Sequence, residues 1–176
     1  MGSNIGAGFA HTRYATSDDA EKLGQLGAVS YISGIPYKLV QVHTACTGAA
    51  ADVITGGDVL YYTATANVVT NDRSEAVSDS ADHYAGIAPS DLASTVPEST
   101  ASITYFMLMQ VGGRHSAVLT NGDDDIVAGV QIIASGDGTC DSAASGTDIK
   151  PNFIGTAAAA DVDATNKVAV NMRYCG

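Results

Sequence analysis

Ile103-Thr104-Tyr105-Phe106-Met107-Leu108-Met109-Gln110-Val111 carries neither a charge nor a helix breaker, and the rest of the chain is best understood from it. Gly112-Gly113 interrupts the run, and Arg114-His115-Ser116-Ala117-Val118-Leu119-Thr120 continues as a second extended segment. Asn121-Gly122-Asp123-Asp124-Asp125 then turns the chain, residues 126–134 run back, and Ser135-Gly136-Asp137-Gly138 turns it again. Apolar runs of this length, rich in aromatic and β-branched residues and bounded by Gly, Asn and Asp, predict strands. Asn-Gly tolerates the positive φ angles of a tight turn, so the second and third segments are expected to form a hairpin. The stretch predicts the centre of a small antiparallel β-fold. Nothing in it has the character of an active site.

Working outward, residues 26–32 and 37–43 predict two further strands, with Ser33-Gly34-Ile35-Pro36 as the turn between them. Tyr37, Leu39 and Gln41 alternate with Lys38, Val40 and Val42, a mixed pattern that names no inward face. Strand character resumes over residues 53–62 and again over 83–88, while residues 63–82 and 90–100 are polar connections. At the far end, Val168, Val170 and Met172 fall on one face, against Lys167, Ala169, Asn171 and Arg173 on the other. That is the cleanest half-buried strand in the sequence. Helix is expected to be small, with a turn from the Asp18-x-x-Glu21 capping-box spacing through Leu23 and another in residues 157–160.

The chain repeats itself. Ile54-x-x-Gly57-x-Val59-Leu60 is matched by Ile126-x-x-Gly129-Val130-x-Ile132, and each is followed by a polar connection. Each connection closes in a short apolar segment around a glycine, Ala85-Gly86-Ile87-Ala88 or Phe153-Ile154-Gly155-Thr156-Ala157. Two copies of one strand–loop–strand unit suit a small closed barrel or a sandwich, folds that leave few strand edges bare. The expected architecture is therefore all-β, a small antiparallel β-barrel or sandwich over residues 23–176. Residues 1–22 form an extended N-terminal arm ahead of it, rich in Gly, Ala, Ser and Thr, with Phe9, His11, Arg13 and Tyr14 as its large side chains. An arm of this composition is expected to order only by lying on a partner, which makes Phe9, Arg13 and Tyr14 the candidate partner contacts.

Composition excludes several classes of function. Eight basic and nineteen acidic residues leave a net charge of −11, which opposes nucleic-acid binding, since that affinity comes from Lys and Arg neutralising phosphates. No secretory leader and no apolar run long enough to span a bilayer stand out, so synthesis in a cytoplasm without a membrane anchor is expected. Cys46, Cys140 and Cys175 are odd in number and lack CxxC spacing, which argues against a disulfide framework and a zinc site. They are expected as buried thiols.

His11, His43, His83 and His115 lie in four separate segments with no metal-binding spacing, and His115, after Arg114 in a strand, suits a surface or interface. Asp123-Asp124-Asp125 lacks the ligand spacing of a calcium loop and suits a solvated hairpin tip. Gly56-Gly57 and Gly112-Gly113 lack the residues that turn glycines into a phosphate cradle, and GxSxG is absent. No catalytic residue, cofactor or metal site is expected, and the chain does not read as an enzyme.

The layout resembles that of small bacteriophage head decoration (capsid cement) proteins. The resemblance is carried by Leu26-Gly27, Tyr37-Lys38-Leu39-Val40-Gln41-Val42, Gly57-Asp58-Val59-Leu60, Tyr84-Ala85-Gly86-Ile87-Ala88 and the segment from Phe106 to Gly113. It continues through Phe153-Ile154-Gly155-Thr156-Ala157, the small-residue run from Ala157 to Asp161, and Val168-x-Val170. It implies a non-catalytic β-barrel or sandwich on the outer surface of a virion, bound to the major capsid protein and often trimeric. The alternatives are another virion β-module, such as a tail-tube, fibre or spike component, or an extracellular binding domain.

Overall fold

The structure is a computed structural model and describes residues 14–16, 24–47, 53–76, 84–92, 95–122, 126–143, 152–160 and 166–174. The chain is all-β. Its strands are β1 (Tyr14–Thr16), β2 (Val29–Ile32), β3 (Ile35–Val42), β4 (Val53–Ile54), β5 (Val59–Tyr62), β6 (Val68–Thr70) and β7 (Tyr84–Ile87). They continue as β8 (Val96–Pro97), β9 (Tyr105–Gln110), β10 (Gly113–Leu119), β11 (Gln131–Ala134), β12 (Cys140–Ser142), β13 (Phe153–Ala157) and β14 (Lys167–Met172). The helical content among the described residues is one 3-10 turn, Arg73–Glu75, capped by the Asp72 carboxylate accepting from Ser74 N–H.

Two barrels of the same topology follow one another along the chain. In the first, β3, β9, β7, β5 and β6 pair in a ring that returns to β3 through a parallel β3–β6 contact. In the second, β10, β14, β13, β11 and β12 pair in the corresponding order, and Thr120 meets Cys140 in a parallel bridge. The repeat seen in the sequence holds to the residue. Leu60 faces Gly86 and Ile132 faces Gly155, each pair with a register shift on its following side. Gly57 N–H donates to Ala88 O at 3.0 Å, and Gly129 N–H to Ala157 O at 2.8 Å. Both glycines have positive φ, +99° and +89°.

Each barrel fills its interior from alternate positions of its strands. Val40, Leu60, Val69, Ala85, Met107 and Met109 form the core of the first, closed at one end by Ile54. Val118, Ile132, Cys140, Ile154, Val168 and Val170 take the corresponding places in the second, closed by Ile126. The inward set of β14 is the one its alternation predicts. Both faces of β3 are buried, which explains its mixed pattern: Val40 and Val42 point into the barrel, while Tyr37 and Leu39 pack outside against Leu108.

The barrels share a core rather than merely touching. Val59, Tyr61, Tyr84 and Ile87, on the outer wall of the first barrel, join the interior cluster of the second. The Tyr61 hydroxyl donates to Gly136 O at 2.7 Å, and burial raises its pKa. Arg73 N–H donates to the Asp137 carboxylate at 2.9 Å, and its guanidinium reaches Ser135 O.

Several expectations are corrected. Residues 121 and 122 do not close a hairpin: β10 pairs with β14, and β11 pairs with β12 and β13. Asn121 is not among the residues with positive φ, although Gly122 is. The tight hairpin lies instead at Ser33-Gly34, whose φ angles of +52° and +80° suit a two-residue primed turn, so Ile35 and Pro36 belong to β3. Two polar connections hold short strands, β6 and β8. Ala157 ends β13 and no helix follows at residues 158–160, while the helical turn expected at 18–23 lies outside the described residues. The one described part of the expected arm is β1, which pairs with the chain's own β9, Tyr14 opposite Met107.

Candidate functional site

The barrels meet at the surface in a cleft of about 350 Å³. Its floor is the outer wall of the first barrel, where Tyr37 and Gln110 are direct partners in the β3–β9 register. One side is the β2–β3 turn, with Ile32, Ser33 and Ile35. The other side combines Ser90 and Asp91, after β7, with Arg114 and Ser116 of β10. Gly112 and Gly113 bring this side close: a Cβ on Gly112 would sit 3.2 Å from Pro36 Cγ, and Gly113 adopts φ +78°. A junction between two rigid units is a common place for a binding site.

The polar groups of the cleft are unequally engaged. Gln110 is 3% exposed, and its Nε2 donates to Gly112 O at 2.9 Å and to Arg114 O at 3.1 Å. With both amide hydrogens spent there, Oε1 is the acceptor that the side chain has left to offer. Ser116 and Ser90 hydroxyls bond to each other at 3.0 Å. The guanidinium of Arg114 is exposed, and no carboxylate among the described residues pairs with it.

Two buried ionisable groups lie outside the lining of the cleft. His115 is 1% exposed, which corrects the surface half of the surface or interface role expected for it; a bulge in β10 between His115 and Val118 keeps the ring inside. Its Nε2–H donates to Ala88 O at 3.0 Å and its Nδ1 accepts from Ala117 N–H at 3.2 Å, which fixes the neutral tautomer. Burial lowers its pKa, and the Ala88 bond and the Asp91 charge only partly oppose that. Asp58 is 4% exposed and accepts from Thr55 N–H, Thr55 Oγ1 and Asn71 Nδ2 at 2.8, 2.7 and 2.8 Å. Desolvation still raises its pKa. Both groups are consumed in holding loops together, and neither faces the cleft.

The other residues singled out from the sequence are scattered. Cys46 and Cys140 are buried thiols outside any disulfide, and burial pushes Cys46 up to about 11, where it is inert as a nucleophile. Cys175, Phe9, Arg13, His11, His83 and Asp123 to Asp125 lie outside the described residues. His43 is half-buried, its Nδ1 accepting from Ala45 N–H at 3.2 Å. Gly57 is no phosphate cradle; a Cβ there would lie 2.3 Å from Ala117 O, so its role is close approach of the barrels. Among the described residues no three His, Cys, Asp or Glu side chains gather where they could hold a metal ion.

Sequence reasoning missed Gln110 and its neighbours. The available signal was small: Gln110 is the polar residue that closes an apolar run just before Gly112-Gly113. No local spacing connects it to Ser90 or Ile32. The geometry defines an all-β protein of two tandem barrels with a cleft of mixed lining at their junction. No family model, curated protein or solved structure matches the chain.

Proposed function

We propose that this chain is a structural virion protein that binds the outer surface of an assembled phage capsid as a decoration protein and performs no catalysis. The observation that carries the reading is where the residues of the resemblance fall. Tyr37 to Val42, Tyr84 to Ala88, Phe106 to Gln110, Phe153 to Ala157 and Val168 to Val170 occupy ring strands β3, β7, β9, β13 and β14 or their immediate ends. Gly57-Asp58-Val59-Leu60 forms the corner where the barrels join. They are thus the framework of the fold rather than its loops. An acidic surface suits a protein that faces solvent and avoids packaged DNA, and weak contacts repeated over a shell add through multivalency. Trimers bound to the major capsid protein are the expected form, with Phe9, Arg13 and Tyr14 as contacts from the arm.

Quantifying the protein in purified particles tests the reading. Copies in fixed proportion to the major capsid protein are the expected result. A few copies per particle would move it to the tail, fibre or spike class, and absence from particles would overturn the virion assignment.

A further inference from the structure

We propose that the cleft between the barrels binds a peptide segment through a carboxylate. Arg114 takes the carboxylate, Gln110 Oε1 accepts a backbone N–H of the same segment, and Ile32 and Ile35 flank an adjoining side chain. The inference does not rest on the capsid reading, since a peptide from any partner protein would satisfy it.

Three observations carry it. First, Arg114 is one of only eight cations in a chain of net charge −11, yet it stands at a cleft without a carboxylate partner among the described residues. A planar guanidinium offers parallel N–H donors that match a carboxylate in a bidentate pair. Second, Gln110 is nearly fully buried, and its amide hydrogens are held by Gly112 O and Arg114 O. Its remaining acceptor therefore comes with a fixed orientation, and a backbone N–H is a donor of the right kind. Third, Gln110 bonds the backbone carbonyl of Arg114 itself, so the acceptor and the cation are held in one relation.

The other ligand classes fit less well. A phosphate chain carries a charge at every link and would find one arginine in the cleft to hold them all. A sugar ring would lack an aromatic platform, because Tyr37 on the cleft floor is 5% exposed. A metal ion would find a single carboxylate, Asp91, among the lining residues.

The carboxylate could be a chain terminus or an acidic side chain, and the test separates these sources. Amide resonances of the full ¹⁵N-labelled chain would be followed against three probes. They are acetyl-Ala-Val-Leu with a free C-terminus, acetyl-Ala-Glu-Leu-amide and the neutral acetyl-Ala-Gln-Leu-amide. Saturable shifts at residues 32–35, 90–91 and 112–116 are expected for at least one of the first two, with Kd of about 1 mM or tighter. Arg114→Gln, at an exposed position, should weaken that binding about ten-fold or more while leaving the folded spectrum intact. Asp91→Asn should tighten it about two-fold by removing a like charge from the rim. Absence of saturable shifts at these residues would overturn the proposal, as would equal binding of the neutral peptide or an Arg114→Gln variant with unchanged affinity.

Discussion

The two barrels have the same strand order, yet they close differently. In the first, the seam between β3 and β6 is zipped directly: Gln41 N–H donates to Asn67 O at 2.9 Å and His43 N–H to Val69 O at 2.8 Å. In the second, the equivalent of the His43 bond survives as Asn121 N–H to Cys140 O at 3.3 Å. The equivalent of the Gln41 bond does not. Leu119 N–H donates instead to Gly57 O at 3.0 Å, and Gly138 O accepts from Val59 N–H at 2.8 Å. Residues 57–59 of the first barrel are thus inserted into the seam of the second. Gly138 at φ +66° and Asn67 at φ +60° hold corresponding turn positions, so the turn is conserved in shape while its partner has changed. The lesson is that a repeat in sequence does not make two independent units. The second barrel borrows backbone hydrogen bonds, and the core residues Val59, Tyr61, Tyr84 and Ile87, from the first.

This asymmetry is most easily broken at its wedge. Gly57 and Gly129 are equivalent, and both have positive φ, where a Cβ is strained. A Cβ on Gly57 would lie 2.3 Å from Ala117 O, whereas one on Gly129 would meet nothing within 4 Å. Gly57→Ala is therefore expected to cost about 4 kcal/mol or more, because clash, strain and the loss of the Leu119 bond act together. Gly129→Ala should cost about 1–2 kcal/mol, from strain alone. Urea denaturation of the two variants measures the difference. Equal losses would show that the wedge at Gly57 is not what couples the barrels.

A second contrast concerns His115 and Lys38, which hold equivalent inward positions opposite Val170 and Met109. Lys38 lies at a half-buried site, where its ammonium donates to the Tyr62 hydroxyl at 2.9 Å. His115 is sealed inside as the neutral ring. Its native pKa is lowered from an ordinary value near about 6.5. Above that value neither the folded nor the unfolded chain protonates it, and its contribution to stability is intact. As pH falls below about 6.5, the unfolded chain takes up a proton that the native state refuses, so stability drops until the native pKa is reached. The slope approaches at most about 1.4 kcal/mol per pH unit. Asp91 opposes the shift and Lys167 adds to it. Asp58 has the opposite sign: its raised native pKa makes its contribution grow as pH falls through that pKa toward about 3.9. Wild type should lose more stability than His115→Gln between about pH 7 and pH 5, as read from thermal melts. Parallel profiles would remove His115 as the cause.

Much of the architecture was legible from the sequence, and the misses share one physical cause. Alternation at Val168, Val170 and Met172 names an inward face, and the glycine repeat at 57/86 and 129/155 names the equivalent corners, because both signals are local. Strand pairing is not local. Asn121-Gly122 has hairpin chemistry, but the partner of β10 is the C-terminal β14, and no turn residue encodes that choice. Strands β6 and β12 are three residues each, too short to establish a period among polar neighbours. The cleft was illegible for the same reason: Ile32, Ser90, Gln110 and Arg114 come from separate segments that only barrel closure brings together. His115 was misplaced because the bulge after it is a tertiary adjustment, absent from any residue pattern.

The smallest expected effect tests how far the two copies still match in shape. Cys140 holds in the second barrel the place of Val69 in the first: Val69 faces Tyr62 and meets Val42, while Cys140 faces Ala134 and meets Thr120. Both are fully buried. The first barrel accommodates a branched side chain opposite large Tyr62, whereas the second sets a thiol opposite small Ala134. If the interiors are equivalent, Cys140→Val adds roughly one methyl group beside a residue that leaves room for it. The change should then cost less than about 1 kcal/mol, below the usual cost of overpacking, because the added methyl displaces no neighbour. The reverse change, Val69→Cys, should cost about 1 kcal/mol, since it removes contacts beside Tyr62. Denaturation midpoints of the two variants decide the matter. A loss of about 3 kcal/mol for Cys140→Val would mean that the wedge at residues 57–59 has drawn the second barrel tighter around Cys140, so that the space Val69 fills no longer exists there.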